Sequence, residues 1–398
     1  MGSISNFALH ERANRSSTAG GQATPERYYR PELNLVRFLA FFLVFLSHNL
    51  PRSPMPGATG VLGSFAPLFY AATNACIFGV SLFFTLSAFL ICELLLREKA
   101  STGSVAVKEF YVRRIFRIWP LYYVGLTLGV LFALTPHGNR SDLVSMSWYL
   151  IFMGAWQAAI HGWLDNPMFV LWSVSVEEQF YLFAPWVVKF ISRKSLFAFC
   201  IGILLFSNLW VSHLSAAGEA AERIWADSIA QFQCFAAGIL LCLILGGRIP
   251  RIAIWPRLFL LAGGAACWLC AGYGPMHADF EIPSQPSRWS YSGGYLLASV
   301  GSVMILVAFL GISSKLLPKW AVSLGRISFG LYVFHALAKD LVVGALQTIS
   351  LPKFWMSAIT VFASLGVTVL LAKTSYRYLE TPFLRLKNRH AVIESQPI

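Results

Sequence analysis

LNLVRFLAFFLVFLSHNL, the run from Leu33 to Leu50, is long and apolar enough to cross a membrane as a single helix. It nevertheless carries two ionisable side chains, Arg37 and His48. An α-helix turns by about 100° per residue, so the roughly 11 positions between them return to nearly the same face, about 16 Å along the axis. Such residues usually face a cavity within the protein, so the pair predicts a polar site in the membrane. The alternative is that Arg37 reaches the interface and His48 lies at the wet end of the helix.

The composition agrees with this interpretation along the whole chain. Hydrophobic residues make up 57% of the 398 positions and charged residues only 12%. This is too apolar for a soluble domain, and the apolar residues fall in separate runs of about 20 residues. We therefore expect an all-α, polytopic membrane protein with about ten transmembrane helices. The seven cysteines lie in apolar runs as free thiols, and the histidines lack metal-binding spacing, so no metal site is expected.

The positions of lysine and arginine predict the orientation, because these residues collect in cytoplasmic loops. The segment from Arg97 to Arg117 holds six of them, which places it and the N-terminus in the cytoplasm. Trp148 to Ile160 is short, and if it lies at the interface or re-enters, the basic cluster at 189–194 also stays inside. Both termini are then cytoplasmic. The ten spans are expected near 33–50, 71–96, 118–134, 170–191, 196–214, 229–246, 256–273, 292–312, 322–343 and 354–374.

The chain divides into a membrane domain and two polar ends. Residues 1–32 predict a flexible cytoplasmic tail, 33–376 the transmembrane domain, and 377–398 a basic cytoplasmic tail. The net charge of +13 follows from this asymmetry and from attraction to anionic membrane lipids, so no nucleic acid partner is expected.

Arginines are unusually dense in RRIFRIWP, residues 113–120. Three guanidinium groups within about one and a half turns exceed what orientation requires. Such groups bind phosphate oxygens bidentately, so the motif predicts a phosphate site, with anionic lipid headgroups as the alternative ligand.

Two carboxyl groups lie within the span that contains LWSVSVEEQFY, residues 171–181. Ser173, Glu177 and Tyr181 share one helix face, and Glu178 points about 100° away. Because burying carboxylates in a membrane is costly, the motif favours a functional role over a structural one.

Two further motifs place polar or small residues on helix faces. ISFGLYVFH, residues 327–335, forms a polar stripe of Ser328, Tyr332 and His335. GVSLFFTLSAF, residues 79–89, forms a small-residue face of Ser81, Thr85 and Ala88. A small face usually indicates close packing between helices.

Taken together and in this order, these motifs and the closing YRYLETP resemble the membrane acyltransferase family 3, typified by bacterial polysaccharide O-acetylases. The resemblance extends over about 28–386. It implies a ten-helix fold, an acyl donor taken from cytoplasmic acyl-coenzyme A, and a hydroxyl acceptor that is often on a sugar. It also implies that the functional positions are Arg37, His48, Arg114, Arg117 and Glu177.

The chain departs from the family pattern in the second span and at its end. Ser81 stands where many relatives have aspartate, and Ala88 where they commonly have glycine. Some relatives carry a fused extracytoplasmic SGNH-hydrolase domain. This sequence ends shortly after the tenth span, so we expect transfer to finish in the membrane domain or on a separate partner.

Acyl transfer from a thioester to a hydroxyl needs a base, stabilisation of an oxyanion and a grip on the phosphates of the coenzyme. We expect His48 to be the base and Glu177 to orient it. The alternative is that Glu177 is the base and His48 holds the donor. The donor phosphates are assigned to Arg37, Arg114 and Arg117, and acceptor or oxyanion contacts to Ser173, Tyr332 and His335.

The sequence therefore predicts an O-acyltransferase integral to the cell (inner or plasma) membrane. It moves acetyl or another acyl group from acyl-coenzyme A, a co-substrate rather than a bound cofactor, to a hydroxyl of a carbohydrate or glycosylated acceptor. The alternative is a proton-coupled transporter or flippase of a glycan or small molecule, in which buried histidine and glutamate relay protons. The sequence shows no inverted repeat that favours it.

Overall fold

The computed structural model describes residues 29–51, 61–273, 288–347 and 352–388, and all regular structure in these residues is helical. The all-α class is therefore confirmed. Residues 1–28 of the predicted N-terminal tail and 389–398 of the predicted C-terminal tail lie outside the described residues.

The helices are numbered in chain order. They are α1 (Pro31–Asn49), α2 (Val61–Ala75), α3 (Gly79–Thr102), α4 (Val107–Ala133), α5 (Asp142–Leu150), α6 (Gly154–His161), α7 (Leu171–Phe190), α8 (Arg193–Ala216), α9 (Ala221–Ala226), α10 (Ser228–Leu245), α11 (Ile254–Tyr273), α12 (Arg288–Phe309), α13 (Lys319–Arg326), α14 (Ser328–Leu346), α15 (Lys353–Ser375) and α16 (Thr381–Asn388). A π-helical turn, Tyr376–Glu380, joins α15 to α16.

Nine helical runs in the described residues are long and apolar enough to cross a membrane. They include α1, α4, α8, α10 and α14, and the longer runs Ala66–Thr102 and Trp355–Lys387. Helix α7 is not among the nine, although its 20 residues give it spanning length, because it carries Glu177, Glu178 and Lys189. The protein is thus a polytopic membrane protein. The expected number of about ten spans corresponds to the nine runs together with α7.

The segment Trp148 to Ile160, predicted not to cross, is divided between two short helices. Helices α5 and α6 have 9 and 8 residues, and an α-helix rises only about 1.5 Å per residue, so neither can span the hydrocarbon core. The turn between them contains Phe152, which has a left-handed φ of 58°. Tyr122 and Tyr123 of α4 donate hydrogen bonds to carbonyl groups of this turn region, at 2.6 and 3.1 Å.

The predicted span at 322–343 begins later in the structure. Residues 319–326 form the separate helix α13, and the spanning helix α14 starts only at Ser328. A Cβ atom on Gly325 would overlap the backbone of Asn34, so α13 lies directly against the start of α1. The apolar run of the sequence therefore covers two elements, because hydrophobic length alone does not show where a helix breaks.

Close packing between α3 and α10 explains the small-residue face of the second span. Ser81, Thr85 and Ala88 are all buried. A Cβ atom on Gly238 of α10 would overlap the Thr85 carbonyl oxygen and lie 3.0 Å from the Ala88 Cβ. The packing interpretation of this face is confirmed, since small residues let two membrane helices approach closely.

Ion pairs join the helices at the end that the positive-inside rule assigns to the cytoplasm. Arg30 lies 3.5 Å from Glu93, and Arg113 lies 3.0 Å from Glu98. Lys99 donates hydrogen bonds of 2.8 and 3.0 Å to the last carbonyl groups of α7, which have no partner within the helix. These contacts fix α1, α3, α4 and α7, four of the five helices that surround the cavity described below.

The orientation can be tested with single cysteines in a variant whose seven natural cysteines are replaced. We expect an impermeant maleimide added to intact cells to label Ser147→Cys, on α5, and not Ser192→Cys, in the turn before α8. Both positions are exposed in the structure. Labelling of Ser192→Cys from outside, without membrane disruption, would contradict the predicted topology.

The close approach of α3 and α10 predicts that Gly238→Ala destabilises the protein. Overpacking of a filled core typically costs about 1–3 kcal/mol, so the melting temperature in detergent should fall. Gly202→Ala on α8 is the matched control, because a Cβ atom there meets nothing within 4 Å. Equal melting temperatures for the two variants would show that Gly238 is not a close contact.

Candidate active site

A cavity of about 100 Å³ lies between α1, α3, α4, α7 and α14, and it has room for several water molecules. Six of the eight residues that the sequence assigned to a site line it, although they come from four different helices. Its polar lining is Arg37, Ser87, Arg114, Arg117, Ser173, Glu177, Tyr181, Ser328 and Tyr332.

Positive charge dominates one end of this cavity. A second cavity of about 60 Å³ adjoins it and shares Arg37, Arg114 and Arg117 with it. Arg37 donates a hydrogen bond of 3.0 Å to Asn34. The Arg114 guanidinium lies 5.1 Å from the centre of the Tyr181 ring, and its buried Nε has no hydrogen-bond partner among the described residues. The Arg114 guanidinium therefore retains a donor that no described residue satisfies, as a site for an anionic ligand would.

The three arginines of RRIFRIWP differ in their surroundings. Arg113 is paired with Glu98, whereas Arg114 and Arg117 line both cavities. The three-residue spacing of Arg114 and Arg117 places them on one face of α4, one turn apart. Arg114 and Arg117, and not Arg113, therefore add their positive charge to that of Arg37 at the cavity wall.

The two carboxyl groups of α7 point to different sides, as their spacing predicts. Glu177 lines the cavity and accepts a hydrogen bond from Ser87 of α3. Glu178 accepts a hydrogen bond of 3.2 Å from the Trp119 indole nitrogen of α4. Its other oxygen is buried without a partner in the described part of the chain. Glu177 is thus the carboxyl group of the site.

Two hydroxyl groups meet deeper in the protein, at the end of the cavity away from the arginine pair. The Ser173 Oγ and Tyr332 Oη atoms are 2.6 Å apart. Both hydroxyl groups also lie within hydrogen-bond distance of the Val170 carbonyl oxygen, at 3.1 and 3.2 Å. The Tyr332 ring packs edge-on against Phe83. These contacts hold the two hydroxyl groups at the cavity wall.

Two imidazole rings lie in contact on the far side of Tyr332. His48 Nδ1 is 2.8 Å from His335 Nε2, and the rings are stacked with their centres 5.0 Å apart. His335 is fully buried, and its Nδ1 lies 2.6 Å from the Tyr332 carbonyl oxygen. Lys339 donates a hydrogen bond to the His48 carbonyl oxygen, and Phe169 packs edge-on against the His48 ring.

The hydrogen bonds assign the protons of this histidine pair. A carbonyl oxygen can only accept, so Nδ1 of His335 must carry a proton. In neutral His335 the lone pair is then on Nε2, and it accepts the proton that His48 Nδ1 carries. Neutral His48 consequently carries its lone pair on Nε2. This is the protonation state that a general base requires.

The structure differs from the sequence-based expectation in which residue contacts His48. The sequence paired His48 with Glu177 and assigned His335 to acceptor or oxyanion contacts. The structure places His335 against His48, and Glu177 against Ser87. His48 and Glu177 both lie close to the pair of Ser173 and Tyr332, since Ser173 is one turn from Glu177 on α7 and Tyr332 one turn from His335 on α14.

Sequence reasoning missed three polar residues of the cavities, Ser87, Lys387 and Arg30. Arg30 fell in the predicted flexible tail 1–32, but it is buried in the structure. Ser87 follows Val80 and Phe83 at helical spacing, and all three line the same cavity. Lys387, in the predicted basic tail, belongs to α16 and lines the second cavity. The sequence signal that could have indicated Lys387 is the short helical pattern around and after YRYLETP.

The chain matches one known family of proteins. The family model described as an acyltransferase domain matches residues 30–373. Peptidoglycan O-acetyltransferase OatA of Listeria monocytogenes is 27% identical over 332 residues, which are 76% of this chain and 50% of that protein. A putative peptidoglycan O-acetyltransferase of Bacillus subtilis, YrhL, is 27% identical over 344 residues, or 78% and 50% of the two chains.

A putative O-acetyltransferase of Staphylococcus aureus is also similar, with 24% identity over 329 residues, or 77% of this chain and 52% of that protein. The chain thus spans about half the length of the curated relatives it matches. No solved structure matches it significantly.

Proposed function

The chain belongs to the acyltransferase family 3, and we propose that it is an integral-membrane O-acyltransferase that acts on a carbohydrate. This membership confirms the resemblance drawn from the motifs. The proposed reaction moves an acyl group, acetyl in the first instance, from acyl-coenzyme A on the cytoplasmic side to a hydroxyl of the acceptor. The proposed location is the cell (inner or plasma) membrane.

The observation that supports this proposal best is the order of groups along one cavity. Arg37, Arg114 and Arg117 lie at one end, and the pair of Ser173 and Tyr332 lies at the other, next to the histidines. A long donor with phosphates at one end and a thioester at the other requires such an order. The separation of about 16 Å between Arg37 and His48 along α1 is comparable to the reach of an extended pantetheine arm.

In the proposed mechanism, His48 Nε2 takes the proton of the acceptor hydroxyl as that oxygen attacks the thioester carbonyl carbon. His335 is a positioning residue, because its Nε2 holds His48 in the tautomer whose lone pair is on Nε2. The tetrahedral oxyanion then collapses, the carbon–sulfur bond breaks, and the coenzyme thiolate takes the proton from His48. A hydroxyl of Ser173 or Tyr332 donates to the oxyanion by turning its proton away from the Val170 carbonyl oxygen.

The names of the relatives support a carbohydrate acceptor. Two of them are described as peptidoglycan O-acetyltransferases, one of these putatively. We propose an acceptor of the same chemical class, a polysaccharide or a glycosylated molecule, that approaches the His48 side of the cavity.

The proposal can be tested with purified protein, acetyl-labelled acetyl-coenzyme A and a peptidoglycan fragment as acceptor. We expect free thiol to appear, and label to reach the glycan, only when donor and acceptor are both present. Movement of an unmodified glycan across proteoliposomes without thiol release would instead support the transporter reading.

The mechanism predicts that His48→Gln abolishes turnover while donor binding persists, because an amide cannot take a proton at neutral pH. General-base catalysis contributes about 10² to 10⁴-fold, so the single-turnover rate should decrease by a factor in that range. His335→Ala should lower kcat less than His48→Ala and leave the donor KM unchanged. These values are read from rapid-quench rates and donor titrations.

The alternative assignment makes Glu177 the base and gives donor binding to His48. In that case Glu177→Gln would be the least active variant, and His48→Ala would lose donor affinity as well as rate. A small loss of rate in Glu177→Gln, with unchanged donor affinity, is the result expected here.

The donor assignment predicts that the double variant Arg114→Glu, Arg117→Glu raises the donor KM strongly and weakens the salt-sensitive part of donor binding. Lys108→Glu is the matched control for charge reversal, because Lys108 is exposed near the start of the same helix. If the double variant bound donor normally, these arginines would be lipid anchors rather than donor ligands.

A further inference from the structure

The second cavity has a charge distribution that its own walls do not neutralise. Five of its lining residues are basic, and among the described residues no acidic side chain lines it. The basic residues are Arg30, whose charge is paired with Glu93 behind the wall, and Arg37, Arg114, Arg117 and Lys387. Like charges brought together in an apolar protein interior repel strongly, so this arrangement favours a bound polyanion.

Lys387 is unexpected in this group because of where it lies in the chain. It belongs to α16, beyond the π-helical turn and outside the stretch that the family model matches. Helix α16 packs on α4, where the rings of Phe383 and Phe116 stack with their centres 6.3 Å apart. Phe383 and Lys387 are four residues apart and share one face, so this contact turns Lys387 toward the arginines of α4.

Lys387 and Arg30 differ in position from the other three basic residues, because neither of them lines the first cavity. Arg37, Arg114 and Arg117 line both cavities, whereas Lys387 lines only the second. That cavity is also lined by Leu94, near the predicted cytoplasmic end of α3. Lys387 therefore lies further from the histidines than the shared arginines do.

The geometry points to Lys387 as a ligand of the outermost phosphate of the donor, the 3′-phosphate of coenzyme A. This inference rests on the proposed function, because it takes the donor to be an acyl-coenzyme A. With the thioester at His48 and the pyrophosphate at the arginines shared by both cavities, the 3′-phosphate is the remaining anionic group of the coenzyme. A lysine ammonium suits a terminal phosphate as a compact point charge.

The inference extends the donor site to the C-terminal helix. Lys387 of α16 lines the second cavity, and the contact of α16 with α4 sets the distance between Lys387 and the arginine pair. We therefore expect the contact with Lys387 to distinguish complete coenzyme A from a coenzyme that lacks the 3′-phosphate.

The test compares two probes, coenzyme A and 3′-dephospho-coenzyme A, by equilibrium binding to the purified full chain. In the unaltered protein we expect coenzyme A to bind about tenfold more tightly, as for one charge-assisted hydrogen bond. Lys387→Gln should weaken coenzyme A about tenfold and leave 3′-dephospho-coenzyme A unchanged, so that the two affinities become equal. Lys387→Arg should restore most of the difference.

Arg385→Gln is the matched control, since Arg385 lies on the same helix and is exposed. It should leave both affinities unchanged. If Lys387→Gln weakened both probes equally, the residue would have a structural role, and if it weakened neither, it would not contact the donor. Either result overturns the inference.

The binding test is separable from the proposed function. Normal binding of coenzyme A without acceptor-dependent thiol release would contradict the proposed transfer reaction, and the two probes would still decide the role of Lys387. If neither probe bound the unaltered protein, the donor assignment and the inference would both be wrong.

Discussion

The cost of keeping positive charge out of water is the constraint on which the rest of this structure depends. Arg37, Arg114 and Arg117 project into a cavity between apolar helices, where an unsolvated guanidinium group is expensive. The protein offsets part of this cost with polar and aromatic neighbours, among them Tyr181 and Glu177. Unused hydrogen-bond donors remain. A site with this electrostatic character is suited to phosphate groups and poorly suited to neutral or cationic ligands.

Such a site needs a rigid frame, because the repulsion between its charges would otherwise separate the helices that carry them. Two features provide it. At the end with the basic residues, Glu93 pairs with Arg30, directly before α1, Glu98 pairs with Arg113 of α4, and Lys99 binds the end of α7. Further along α3, the approach of Gly238 to Thr85 leaves no room for a side chain and fixes α10 against it.

The histidine pair gives a physical basis for the proposed base. A carboxylate is the usual partner of a catalytic imidazole, but a buried carboxylate adds negative charge that must itself be compensated. A second, neutral imidazole can also fix the tautomer. Here the hydrogen bond to the Tyr332 carbonyl keeps the proton of His335 on Nδ1, and the hydrogen bond to His335 Nε2 then keeps the proton of His48 on its Nδ1. The orientation of the base is determined by an uncharged chain of hydrogen bonds, which suits a low-dielectric interior.

The sequence by itself determined the features that depend on local periodicity and composition. These are the helical membrane class, the common face of Arg37 and His48, and the separation of Glu177 from Glu178. Each follows from hydrophobic run length or from the turn of about 100° per residue. Only the tertiary structure decided which faces meet. It placed His335 rather than Glu177 against His48, and it brought Lys387 to the arginines. The reason is that contacts between helices depend on crossing geometry and on breaks such as that before Ser328, neither of which has a local pattern in the chain.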